Sequence, residues 1–144
     1  MAVHAAAHVR RFGLMPKIAL LSHSDFGSHD TASARKMREA SRLLTTSHPD
    51  LEVDGEMHGD SALNPLLRQR VLPHSRLTGE ANVLIMPNLD AANIAYHMVT
   101  VLGDALPVGP ILIGAAKPAH ILTPSVTARG VVNMTAIAVV EAQA

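Results

Sequence analysis

The chain has 144 residues, about the length of one ordinary domain. Twelve basic and twelve acidic residues give a formal charge of zero, and no cluster of like charge is long enough to recruit nucleic acid or an anionic membrane. With 2% aromatic residues and no Trp, base stacking has few candidates; the absence of Cys excludes disulfides and thiolate metal sites, and a reducing cytoplasm is the expected compartment.

In chain order, the opening MAVHAAAHVRRFG lacks the continuous apolar stretch of a signal peptide and reads as a short helix closed by Gly13, without an N-terminal cap. Residues 1–13 are therefore expected to be the end of a helix continuing from an upstream half. The apolar run at 17–22 predicts a strand leading into a polar loop at 23–30. Ala34, Met37, Ala40 and Leu44 recur at helical steps and predict a helix over 31–47, capped by Thr31 or Ser33. A short alternating strand at 51–54 runs into Gly55. A helix over 60–71 carries Pro65 in its first turn. A buried strand at 81–86 precedes a helix marked by Ala91, Ile94, Ala95, Met98, Val101 and Leu102 that stops at Gly103.

Two further strands are expected at 110–113 and 119–122. The last helix carries Val131, Val132, Thr135, Ala138 and Val139 and is capped by Thr127. Five apolar runs alternating with helical segments predict an α/β fold, a mostly parallel sheet flanked by helices. The loops at 23–30, 87–90 and 114–118 should share one edge of that sheet, where open α/β sheets bind ligands.

The chemistry-bearing signals are sparse. Nine His are read as scattered rather than as a metal set. Asp54, Glu56 and Asp60 beside Gly55 and Gly59 read as solvated turn residues, with a paired-carboxylate site as the alternative. No Gly-x-Gly-x-x-Gly follows a strand, so NADP has no fingerprint here. The loop Ser22-His23-Ser24-Asp25-Phe26-Gly27-Ser28 offers hydroxyls and backbone N–H groups to an anion, or is a plain turn. Gly114-Ala115-Ala116-Lys117 sets small residues beside one cation, open to a phosphate or simply packed tightly.

Five collinear motifs, ALLSHSDFGS, LEVDGEMHGDSAL, ANVLIMPNLDAANIAY, GPILIGAAKP and VVNMTAIAVVEA, give residues 14–144 a resemblance to phosphotransacetylases. Within that superfamily, GEMHGD, MPNLDAANIAYH and GAAKPAHILTPS are similar to the module fused behind bacterial NADP-dependent malic enzymes. The resemblance implies a phosphotransacetylase and isocitrate-dehydrogenase-like fold, of which 14–144 is the C-terminal half: the second subdomain plus the returning C-terminal helix. It also implies a parent that decarboxylates malate to pyruvate with NADP and a divalent metal (Mg or Mn), through malic and NADP-binding domains outside this chain.

Active phosphotransacetylases resemble KPVNDLSRGCSVEDIVN where this chain runs from Lys117 to Asn133, with no gap between them. The family's catalytic Ser then falls on Thr123, its substrate-clamping Arg on Pro124 and its base Asp on Gly130. A positioned base contributes ~10²–10⁴ and one electrostatic clamp ~10²–10³ in rate, so losing both removes roughly 10⁴–10⁷.

The resemblance therefore implies no catalytic residue, and a regulatory, oligomer-forming role with acetyl-CoA as effector. Its expected ligand contacts are Ser22, Ser24, Gly27, Ser28, Asn88, Asp90, Asn93, Gly114, Lys117, Thr123 and Asn133, with no metal ligands. The alternatives are a working phosphate acetyltransferase, which needs the missing Arg and Asp, and a purely structural dimerisation module.

Overall fold

A computed structural model of the chain describes residues 1–143. In order, these form α1 (Ala2–Arg11), β1 (Lys17–Leu21), α2 (Ala32–Ser47), β2 (Glu52–Met57), α3 (Gly59–Leu63), α4 (Pro65–Val71), β3 (Val83–Ile85), α5 (Leu89–Leu102) and α6 (Ala128–Ala142). The strands make one parallel sheet in the order β2-β1-β3. The α/β expectation holds, with three strands rather than five among the described residues.

Pleat alternation divides β1 between two cores. Ile18 and Leu20 face α1 and α2, packing with Ala2, Ala6, Met37, Val53 and Val83. Ala19 and Leu21 face the other way, onto Met57, Ala62, Leu77 and Ala81. The helix starts follow cap chemistry. Thr31 accepts from Ala34 N, Asn88 from Ala91 N and Thr127 from Gly130 N. The helix expected over 60–71 is two, because Asn64 leaves helical geometry and caps α4, placing Pro65 at its first position.

Arg68 on α4 is the largest fully buried side chain, 1% exposed. Its guanidinium donates to the carbonyls of Ser61, Ala62, Leu77 and Gly79, fastening α3 and the 77–79 segment around one cation.

The expected strands at 110–113 and 119–122 do not form: neither run pairs with a strand among the described residues. An extended segment without a neighbour leaves its N–H and C=O groups to water, so it gains nothing from strand geometry. Leu112 and Ile121 are exposed, and the runs meet only where Leu112 N donates to His120 Nδ1 at 3.3 Å.

The apolar stripe marked on α6 also differs. Val131, Val132 and Val139 are exposed, whereas Met134 and Ile137 are buried. None of the residues of α5 is buried.

Candidate functional site

The loops after β1 and β3 leave the same edge of the parallel sheet, and side chains knit that edge together. Lys36 Nζ on α2 donates to the carbonyl of Pro87. His58, just after β2, places Nδ1 2.9 Å from Asp25 Oδ2 and Nε2 2.9 Å from the carbonyl of His23. The 114–118 segment differs from expectation: no strand leads into it, and residues 112–118 lie against α1.

The 22–30 loop does cradle an anion, but the anion is the chain's own Glu56. That side chain is 1% exposed, not the solvated turn residue expected. The β1–β2 pairing sets Leu20 against Gly55 and Leu21 against Met57, so Glu56 is an extra residue in the ladder. A bulge of this kind interrupts the alternation, and Glu56 and Met57 are buried together.

Glu56 Oε1 accepts from Ser24 Oγ at 2.8 Å and Gly27 N at 2.9 Å, and Arg38 reaches it through Nη2 at 2.9 Å. Burial pushes the carboxyl up, but donation from Arg38, Ser24 and Gly27 outweighs it and holds Glu56 below the ordinary glutamate value.

The other backbone donors from Ser24 to His29 are committed too. His29 N donates to Ser24 Oγ, Asp25 N to Ser28 Oγ, Ser24 N to Ser22 Oγ, Phe26 N to the Glu56 carbonyl and Ser28 N to the Asp25 carbonyl. Ser22, Ser24, Gly27 and Ser28 are thus brought together, yet every backbone N–H from Ser24 to His29 already has an internal acceptor.

The remaining expected contacts lie apart from that loop in the chain. Asn88 is occupied as the cap of α5, and Asp90 and Asn93 are exposed on the first turns of that helix. Thr123 shares a 3.1 Å hydroxyl contact with Ser125 in an exposed turn, next to exposed Pro124. Asn133 is half-buried on α6. Gly130 stands in the first turn of α6, where an added Cβ would meet Val126 Cγ2 at 2.7 Å. Positions 123, 124 and 130 therefore hold one hydroxyl, no carboxylate and no guanidinium.

Gly114 and Lys117 line a cavity of about 200 Å³ between α1, residues 112–118 and α6. On its α6 side is Glu141, 8% exposed in its side chain. Arg11 Nη1 lies 3.1 Å from Glu141 Oε1, His8 Nδ1 3.0 Å from the same oxygen and His120 Nε2 3.0 Å from Oε2. Of the three, only the Arg11 contact is aligned as a hydrogen bond.

Sequence reasoning passed over this cluster, although His4 and His8 stand four apart on α1 and Met134, Ile137 and Glu141 follow one face of α6. Among the described residues, no group of three or more His, Asp or Glu is placed to hold a metal ion. No described helix is long and apolar enough to cross a membrane.

Comparison with known proteins agrees with this architecture. The pattern of the family described as phosphate acetyl/butaryl transferase matches residues 1–139. The NAD-dependent malic enzyme of Rhizobium meliloti (strain 1021) is 64% identical over 139 residues, which are 96% of this chain and 18% of that protein. The NADP-dependent malic enzyme of Escherichia coli (strain K12) is 53% identical over 140 residues, again 96% of this chain and 18% of the relative. Relatives named for either coenzyme thus carry the segment.

Among solved structures, the EutD phosphotransacetylase from Staphylococcus aureus superposes with a TM-score of 0.91 at 34% identity, covering 98% of this chain and 44% of that one. The chain thus spans less than a fifth of the malic enzymes and under half of the phosphotransacetylase. With the family pattern reaching from residue 1 to 139 and the fold in agreement, the chain belongs to the phosphate acetyl/butaryl transferase family.

Proposed function

We propose that this chain is the C-terminal half of the acyltransferase-like module of a cytoplasmic malic enzyme, and that it serves there as a non-catalytic, acetyl-CoA-sensing and oligomer-forming part. Malate oxidation and decarboxylation, with the nicotinamide coenzyme and the divalent metal, belong to domains outside it. The observation that carries this reading is the composition of the 123–130 segment. Acyl transfer to phosphate needs a base for the thiol proton and a cation for the developing oxyanion. Pro124 has no charge, Gly130 has no side chain, and a Cβ added at 130 would meet Val126 Cγ2 at 2.7 Å.

Self-association is supported by α5, where Leu89, Val101 and Leu102 are each about 80% exposed and no residue is buried. An apolar helix left in water is a partner surface, for a second copy or for the part of the module that this chain does not span. The malic enzyme placement is supported by identity over nearly the whole chain. The test is malate oxidation by the complete polypeptide with and without acetyl-CoA. Inhibition by acetyl-CoA is expected, and a rate indifferent to it would reject the sensing role.

A further inference from the structure

The His58 ring stands between two groups that can only accept. Nε2 is aligned on the carbonyl of His23 at 2.9 Å, so that bond requires a proton on Nε2. Nδ1 stands at ion-pair distance, 2.9 Å, from Asp25 Oδ2. The carboxylate is fixed there from a second direction, because Asp25 Oδ1 accepts from His58 N at 2.7 Å, and its side chain is only 12% exposed. A neutral imidazole carries one ring proton. With Nε2 donating, it would turn the Nδ1 lone pair onto a carboxylate oxygen, and the two would repel. Both contacts are favourable together only in the imidazolium, which holds a proton on each nitrogen.

The other titratable groups around the ring do not share this constraint. His23 Nε2 meets Thr31 Oγ1 and His29 Nδ1 meets Ser28 Oγ, and a hydroxyl donates or accepts as the imidazole requires. On the packed elements, Glu56 is paired with Arg38 and Asp30 with Arg35, and Lys36 is turned to the Pro87 carbonyl. Asp60, in the first turn of α3, accepts from Ser61 N. Among the described residues, Asp25 is the one carboxylate in contact with the ring.

We propose that His58 is a proton-operated latch that ties the start of α3 to the loop after β1, closed when the ring carries both protons and slackened when it carries one. Imidazole changes charge between about pH 5 and 8, a range in which ordinary carboxylates stay ionised. The charged form has the favourable contacts, so the latch is held on the acid side of the His58 titration and released as pH rises through it. It governs the stiffness of the 22–30 platform, at the edge where open α/β sheets bind ligands. The latch rests on no acyl-CoA binding, and it works in the opposite sense to the Glu56 shell, which is lost only in stronger acid.

The experiment is NMR of the ¹⁵N-labelled full chain from about pH 5 to 8, reading the His58 ring nitrogens and the exchange protection of amides 24–29 in the same samples. Both ring nitrogens should be protonated wherever the loop is most protected. Protection should fall by up to about fivefold, the size of one partly exposed ion pair, as the ring loses its Nδ1 proton. His58→Gln and Asp25→Asn each remove one charge of the pair and should flatten that step. Asp25→Asn keeps an acceptor for His58 N, so it decides the matter if His58→Gln disturbs the loop. His74→Gln, at an exposed position, should leave the step unchanged. Protection that is flat through the His58 titration, a step that survives in Asp25→Asn or follows the rings of His23 and His29 instead, or a His58 ring with a single proton in the protected loop overturns the proposal.

Discussion

Ser24 Oγ donates to Glu56 Oε1 across 2.8 Å, joining the loop after β1 to a bulged residue of β2 inside the protein. Gly27 N and Arg38 complete the shell around the same oxygen. The 22–30 segment is thereby a fixed platform rather than an open anion cradle.

Glu56→Gln should loosen that platform. The substitution removes the charge that Arg38, Ser24 and Gly27 address, and breaking a buried ionic contact costs up to ~3–5 kcal/mol. Because Arg38 is 41% exposed, solvent screening reduces that figure, and a loss of about 2 kcal/mol is expected. Amide exchange of residues 24–29 should accelerate more than that of β1.

The pH dependence follows from the same group. The folded carboxyl sits below its ordinary value of 4.5, so its contribution is complete above that value and is lost as pH falls through the lowered folded one. The wild-type chain should lose loop protection on acidification, and Glu56→Gln should lack that component. Urea unfolding at a series of acidic pH values measures the difference.

Arg68→Met tests the buried cation of α4. Four carbonyls lose a charged donor while the apolar side chain keeps much of the volume, and bonds to charged groups contribute ~1.5–3 kcal/mol each when broken singly. A loss of about 3 kcal/mol is expected in denaturant titration. A loss below about 0.5 kcal/mol, the range of ordinary surface changes, would mean the carbonyls are satisfied otherwise.

Association should track α5. The chain is expected to sediment as a dimer or larger species at tens of micromolar, since apolar patches beyond a few hundred Å² usually associate. Val101→Asp with Leu102→Lys, both at exposed positions, should shift the distribution toward one-chain mass without unfolding the chain. A wild-type monomer would remove the oligomer-forming role.

Much of this fold is legible in the sequence because its signals are local. Thr31 and Thr127 mark helix starts through a side-chain oxygen three residues from the amide it receives. Runs 17–21 and 83–85 form strands because they pair with one another within the chain. The equally apolar runs at 110–113 and 119–122 look the same by composition, but pairing is a tertiary property that composition does not carry. Glu56 was illegible for a related reason: a bulge shifts the alternation by one residue, and Asp54-Gly55-Glu56 then reads as a turn. Of the candidate site, the donors of the loop at 22–30 are legible in the sequence, while their internal acceptor Glu56 is not. The Glu141 cluster draws on three distant segments, so no window of sequence displays it.

The most direct test of a sensing part without chemistry is calorimetry of acetyl-CoA injected into the complete polypeptide in phosphate buffer. The account predicts a saturable heat of binding that returns to baseline after each injection. A sustained heat flow corresponding to turnover near 10 per second, an ordinary enzyme rate, would show a working acetyltransferase and contradict it, and so would the absence of any binding heat.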